Sequence, residues 1–364
     1  MNVFNPEMLV IARGAWGGTQ TALAEQLDVP QGRISRWEDG LSSPSEEDVE
    51  RIAAILETPV GFFYQSDVPV GAEVSLMYHR KRRQTKISDL HRLHCRINVI
   101  RMGVARLLRS VEDVPIGVEH FDVDEYASPR EVARMVRAAW RLPATTPIRN
   151  LVELIESRGA IVIRMPFETS SVDAVHLWPW DMPPLVFLND ECPADRERFS
   201  LAHEIGHMLM HRIPTPNLEA EADEFASEFL LPESGLRMDV GSTLTLQQAL
   251  RLKHKWRVSG QAIITQSKQI GAISARKHES LYKYLSKLGY RKAEPNPLSR
   301  EQPTTLRRLI DLHLTQLGYS LEDLAESLFL SVERFRSFLA GDPSPHSFRI
   351  VGGDESSSLG RRRP

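Results

Sequence analysis

Apolar residues in the first part of this chain recur at helical spacing. Leu23, Ala24 and Leu27 give one short helix an inner face, Asp28-Val29 makes a turn, and Pro30 opens a second helix whose Ile34 and Trp37 face inward. After a start at Pro44-Ser45-Glu46, Val49, Ile52, Ala53 and Leu56 continue the pattern. Residues 90–108 predict a longer helix with Leu93, Ile97, Ile100, Val104 and Leu107 on one side. His91, His94 and Cys95 flank that side and have no further ligand near them in sequence, so they read as packing residues. A capped helix with an Arg-rich outer face is predicted over 128–140, and another over 148–158 ending at Gly159. The period then changes, and 160–165, 174–178 and 185–189 are short strand candidates. Helices resume at 199–211, 218–231, 245–256 and 259–270. The pattern predicts an α+β, mostly helical protein: an N-terminal all-α unit joined to a unit with a small sheet beside paired helices.

At 364 residues the chain is too long for one typical core. The expected division is 1–66 for the N-terminal helical domain, 67–127 for a helical, basic linker, and 128–290 for the unit with the sheet. A C-terminal helical unit, 303–343, follows a Pro- and Asn-rich stretch at 291–303, and a disordered tail occupies 344–364. The run His79-Arg80-Lys81-Arg82-Arg83 reads as a solvated part of the linker. With a net charge of −3, any contact with nucleic acid must come from a local patch. Two distant cysteines, Cys95 and Cys192, no signal-like start and no long apolar run point to a reduced cytoplasmic protein with no membrane partner.

The chemistry centres on His203-Glu204-Ile205-Gly206-His207. On a helix the two imidazoles lie about one turn apart and can reach one divalent ion, while Glu204 sits where it can take a proton from a water attacking a carbonyl. Leu201, Ile205 and Met208 make one apolar side of this helix and Ala202, Gly206 and Leu209 another, so the histidine pair lies in a core and calls for a reason such as an ion. A catalytic site wants a third protein ligand. On a helical wheel of 218–231, Glu219 lies beside Ala222, Asp223, Ala226 and Leu230. Glu221, Glu224 and Glu228 gather opposite, and Leu218, Phe225 and Phe229 form the core stripe. Glu219 is therefore expected as the ligand, with Glu221 as the fallback, Asp223 as the acceptor orienting a ligand histidine, and the other glutamates as a solvated acidic face. The helix bearing His203 and His207 resembles that of zinc peptidases, in which an edge strand binds substrate backbone by strand addition, and the resemblance implies such a role for 185–188 or 175–178. His176 reads as a surface strand residue. In the N-terminal unit, Arg33 or Gln31 is expected to read base edges, and Gln20, Ser35 and Arg36 to contact phosphates.

Residues 184–233, with Asn189, the run Arg198 to His207, Glu219 to Ala226 and Leu230 to Pro232, resemble the ImmA/IrrE family of metallopeptidases. Residues 5–63 resemble the Cro/cI-type (XRE) helix-turn-helix domain through Gln20, Leu23-Ala24, Ile34-Ser35-Arg36-Trp37-Glu38 and Gly40; Trp16-Gly17-Gly18 departs from the usual apolar lead into its second helix. The resemblance implies a zincin-like peptidase domain holding one Zn2+ per chain, a gluzincin-like metallo-endopeptidase that cleaves a partner transcriptional repressor, and a double-stranded DNA partner for the N-terminal domain. The alternative is a non-catalytic XRE-type regulator or antitoxin whose metal domain senses zinc or binds a partner. Glu204 favours catalysis, since a sensor has no use for a base there. Residues 322–341 align without gaps on 21–40, which suggests a degenerate helix-turn-helix. Its Phe329 and Phe338 point to protein contact, such as a homodimer.

Overall fold

The computed structural model describes residues 3–70, 86–111, 117–121, 128–211, 216–241, 243–291, 293–333 and 335–336. The basic run at 79–83 and the tail at 344–364 lie outside them, as does Phe338.

Four helices, α1 (Pro6–Trp16), α2 (Gln20–Leu27), α3 (Gln31–Glu38) and α4 (Glu46–Ile55), and a 3-10 turn (Val60–Tyr64) close the first core. Leu23, Ala24, Leu27, Ile34, Trp37, Val49 and Ile52 are buried together, as their spacing predicts. The departure at Gly17 has a local cause: it ends α1 with φ 89°, a left-handed conformation that glycine enters without a Cβ penalty.

The second region is built on a three-stranded sheet in the order β1-β3-β2, with β1 (Ile161–Met165) parallel to the central β3 (Leu185–Asn189) and β2 (Ala174–Leu177) antiparallel to it. Strict alternation sorts its side chains. Ile161, Ile163, Met165, Val175, Leu177, Leu185 and Phe187 point one way, and Val162, Ala174, Val186 and Leu188 the other. The first face is covered by α5 (Ile87–Leu108) through Leu90, Leu93, Ile97 and Val104. The second shares one core with α6 (Pro129–Ala139), α7 (Leu151–Glu156), α8 (Ala194–Met210), α9 (Leu218–Leu230), α10 (Glu233–Val240), α11 (Leu246–Trp256), α12 (Gly260–Gln269) and α13 (Ala275–Lys287); α7 and α8 lie against the strands and α9 packs on α8. Because β3 is paired on both sides, the expectation of a peptide cradle at 185–188 fails there. Among the described residues β1 and β2 each pair with a strand on one side alone, and β2 packs on α8.

α5 is more than a tether. Cys95 and Met102 join the N-terminal core, where Gly14 of α1 lies directly against Cys95, while Leu107 joins a third cluster formed by the C-terminal helices α14 (Thr305–Thr315) and α15 (Leu321–Ser327). The apolar side expected to serve protein contact thus faces this chain: Leu324, Ala325 and Leu328 pack with Leu107, and Phe329 meets Phe62 with ring centroids 6.1 Å apart under the Arg106 guanidinium. The stretch expected to separate the C-terminal unit is likewise anchored. Glu301 is buried, pairs with buried Arg198, and accepts from the Leu151 and Val152 amides at the start of α7, at 2.7 and 3.1 Å. Among the described residues no helix is long and apolar enough to cross a membrane.

Candidate metal centre

α8 and α9 approach closely because small residues meet at their crossing. A Cβ added at Gly206 would lie 3.0 Å from the Phe225 ring and 3.4 Å from Ala222 Cα. This brings the polar residues of both helices to one point inside the core. His203 and His207, one turn apart, face each other with their Nε2 atoms 2.9 Å apart. Glu219 of α9 completes the group, with one carboxylate oxygen 3.2 Å from His207 Nε2 and the other 3.8 Å from His203 Nε2. His207 is enclosed, whereas Glu219 is 19% exposed and opens one side of the group towards solvent.

Hydrogen-bond partners on the far sides fix the chemistry of these atoms. A carboxylate can only accept, so His203 Nδ1, 2.8 Å from Asp223 Oδ1, carries a hydrogen and leaves a lone pair on Nε2 in the neutral ring. Two imidazole nitrogens and a carboxylate thus converge on one small volume, within 4.8 Å of one another, a set able to hold a cation. The titration of the histidines follows. Burial, the largest single influence on His203, opposes its charge, yet the Asp223 hydrogen bond and the fields of Glu204, Asp223 and Glu219 together raise its pKa above the ordinary imidazole value. Burial, helped by the neighbouring His203 and His176, lowers His207 to about 4 despite the Glu219 hydrogen bond. The donor set fits a divalent ion such as zinc, which takes neutral imidazoles and carboxylates and displaces protons as it binds.

Glu204 is buried and points to the sheet side of α8, where its Oε2 lies 2.7 Å from His176 Nδ1. His176 is 5% exposed, so its expected surface position is overturned. It belongs to the face of β2 opposite Val175 and Leu177, directed at α8. The expected acidic face of α9 is also corrected. Glu228 is buried between Arg130 and Arg134 of α6, Glu224 pairs with Arg130, and Glu221 meets His211 at 2.9 Å.

Residues 155–266 match the family model described as IrrE N-terminal-like domain, of the M78 peptidases, and residues 12–63 match the helix-turn-helix model. The chain joins an XRE-type helix-turn-helix to an ImmA/IrrE-like domain. No curated protein matches it. The IrrE-like match spans the sheet, both helices of the candidate centre and α12 as far as residue 266, so the converging donors lie wholly within the metallopeptidase-like region.

In the helix-turn-helix, α3 begins at Gln31, whose side chain donates to Gln20 Oε1 at 2.6 Å. Gln20 also donates to Glu38, which clasps Arg13. Arg33 is exposed but held by Asp48 at 3.2 Å and lies over the Trp37 ring. Ser35 donates to Asp39, and Arg36 is exposed on the same helix. The residues near the metal group that sequence reasoning left without a role are His176, His211 and Glu221's partnership with it. The signal for His211 was available: it lies four residues beyond His207, on the same helical face.

Proposed function

We propose that this protein is a DNA-binding transcriptional regulator fused to a zinc-dependent metallo-endopeptidase that cleaves a repressor-type protein in the cytoplasm. The observation that carries the reading is the convergence of donor atoms from His203, His207 and Glu219, all within 4.8 Å of one another, beside a buried glutamate that the ligand set does not need. When bound, a zinc ion supplies a Lewis acid that polarises the scissile carbonyl and acidifies water. Glu204 takes the proton from the attacking water and returns it to the nitrogen of the leaving amine as the C–N bond breaks. His176 Nδ1 holds Glu204 Oε2, which keeps the carboxylate aimed while it exchanges that proton. Asp223 holds His203 in the form that presents Nε2. The unpaired edge of β2, whose His176 touches Glu204, is suited to take an extended substrate backbone by strand addition. In the N-terminal domain, Gln31 and Arg33 are assigned to base edges and Gln20, Ser35 and Arg36 to phosphates.

The test compares wild type with Glu204→Gln, which keeps the ligand set. Both should hold one zinc per chain. Terminal proteomics of a cell extract treated with each should reveal new N-termini for wild type alone. Zinc-loaded wild type that generates no termini beyond those of Glu204→Gln would refute the peptidase.

A further inference from the structure

His211 caps the C-terminus of α8, and its side chain is 2% exposed. Both of its ring nitrogens are engaged: Nδ1 lies 2.9 Å from His207 Nδ1, and Nε2 lies 2.9 Å from Glu221 Oε2. Since the carboxylate only accepts, His211 Nε2 carries the hydrogen. In the neutral ring its Nδ1 is then a lone pair, so the hydrogen between the two rings belongs to His207 Nδ1. His207 Nε2 is thereby left with a lone pair directed at His203 Nε2 and Glu219.

We propose that Glu221 and His211 form a positioning relay that holds His207 in a single tautomer and ring orientation, so that Nε2 is the atom offered to the cation. The proposal rests on the metal-site reading of His203, His207 and Glu219. Two positions along a helix are about 200° apart, so Glu221 cannot share the direction of Glu219. It projects instead towards the end of α8, where His211 carries its influence across to His207. The two ligand histidines are thus supported differently, His203 by Asp223 directly and His207 by a carboxylate acting through a second imidazole. Without the relay, the buried His207 ring is free to take the other tautomer, which would point an N–H into the site.

The test uses the full chain and reads zinc affinity by competition with a chromophoric chelator, independently of proteolysis. His211→Leu should weaken zinc binding by about 10- to 100-fold, the usual cost of losing the group that orients a metal ligand. In His211→Asn the amide oxygen takes the place of Nδ1 and accepts from His207, so affinity should stay within about threefold of wild type. Glu221→Leu should weaken zinc in the wild-type background and have no further effect in His211→Asn, which no longer needs the carboxylate. Unchanged affinity in His211→Leu, or an equal loss in His211→Asn, overturns the relay. Should His211→Leu fail to fold, imidazole 15N shifts of zinc-free wild type decide: a hydrogen on His207 Nδ1 supports the relay and one on Nε2 overturns it. Wild type that takes up no zinc removes the metal-site reading and the relay together. Wild type that binds zinc but cleaves nothing removes the peptidase and leaves the relay standing.

Discussion

Changing Glu301 to Gln removes one charge while nearly preserving shape, and it tests whether residue 301 belongs to the core of the IrrE-like region. One carboxylate oxygen faces Arg198 and lies 3.4 Å from Arg257 Nε, and the other accepts from the Leu151 and Val152 amides. The side chains of Arg198 and Glu301 are 4% and 5% exposed, so losing one partner strands a buried charge. Breaking a pair of this kind costs about 3–5 kcal/mol. Gln still offers a carbonyl oxygen to the start of α7, so that smaller contribution stays; Ala forfeits it as well, adding about 1 kcal/mol. For a unit of this size each kcal/mol moves the melting temperature by roughly 2–4 °C, so calorimetry of Glu301→Gln should show a fall of about 6–20 °C. Pairing Arg198→Met with Glu301→Leu removes both charges and should recover much of the loss, because the stranded charge causes most of it. If Glu301→Gln melts within about 2 °C of wild type, the residue is a linker position and the account of its burial is wrong.

Gly206→Ala sets a helix-propensity gain of about 1 kcal/mol against an overpacking cost of roughly 1–3 kcal/mol from the Phe225 ring, so urea unfolding should show a net loss of up to about 2 kcal/mol; a clear stabilisation would contradict the tight crossing. Asp223→Ala should weaken zinc by about 10- to 100-fold in chelator competition, while Glu224→Ala, whose carboxylate pairs with Arg130, should leave it unchanged. Arg36→Ala should lower affinity for operator-sized DNA evenly across sequences and reduce the slope of log affinity against log salt by about 1, as expected for a phosphate contact; a change in sequence preference would reassign it. Burial, the leading cause, raises the Cys95 thiol to about 11 and the Cys192 thiol to about 12, so neither should be alkylated at pH 8 in the native protein, and both should react once it is unfolded. The same shifts run against stability at high pH. Both thiols stay neutral in the fold while those of the unfolded chain ionise near 9.0, so stability from this source is complete below pH 9 and declines as pH rises towards 11 to 12.

What could be read from sequence followed local periodicity. The α2–α3 pair, the three strands and the two helices bearing the histidines and Glu219 all declare themselves by spacings of about 3.6 or 2 within a few residues. The grouping of Glu219, rather than Glu221, with the two histidines was legible too, since Asp223 and Ala226 share its side of the wheel and small residues stand there. What stayed hidden depends on contacts between distant segments. Glu228 lies with other acids on a wheel, and only the arrival of α6, about ninety residues earlier, turns that stripe into a buried ion pair. The alternation of β2 puts His176 opposite Val175 and Leu177, but no local pattern says which face meets α8. Glu301 sits among Pro, Asn and charged residues that resemble a linker, and its partners lie 103 and 150 positions away.

The region between the two matched families is a packed element rather than a connector. A tether needs at most one apolar stripe, yet α5 carries Cys95 and Met102 into the helix-turn-helix core, Leu93, Ile97 and Val104 under the sheet, and Leu107 into the C-terminal cluster. Each set is buried only while its own partner stays in place. The helix-turn-helix therefore cannot pivot about α5 without uncovering Cys95 and Met102, and α5 cannot leave the sheet without exposing Ile163, Val175 and Phe187. β2, which α5 supports through Val175 and Leu177, is also the strand whose opposite face presents His176 to Glu204. Displacing the N-terminal domain must then either break apolar contacts at its own boundary or shift the strand on which Glu204 leans, and interiors packed this closely do not absorb such a shift by gradual deformation.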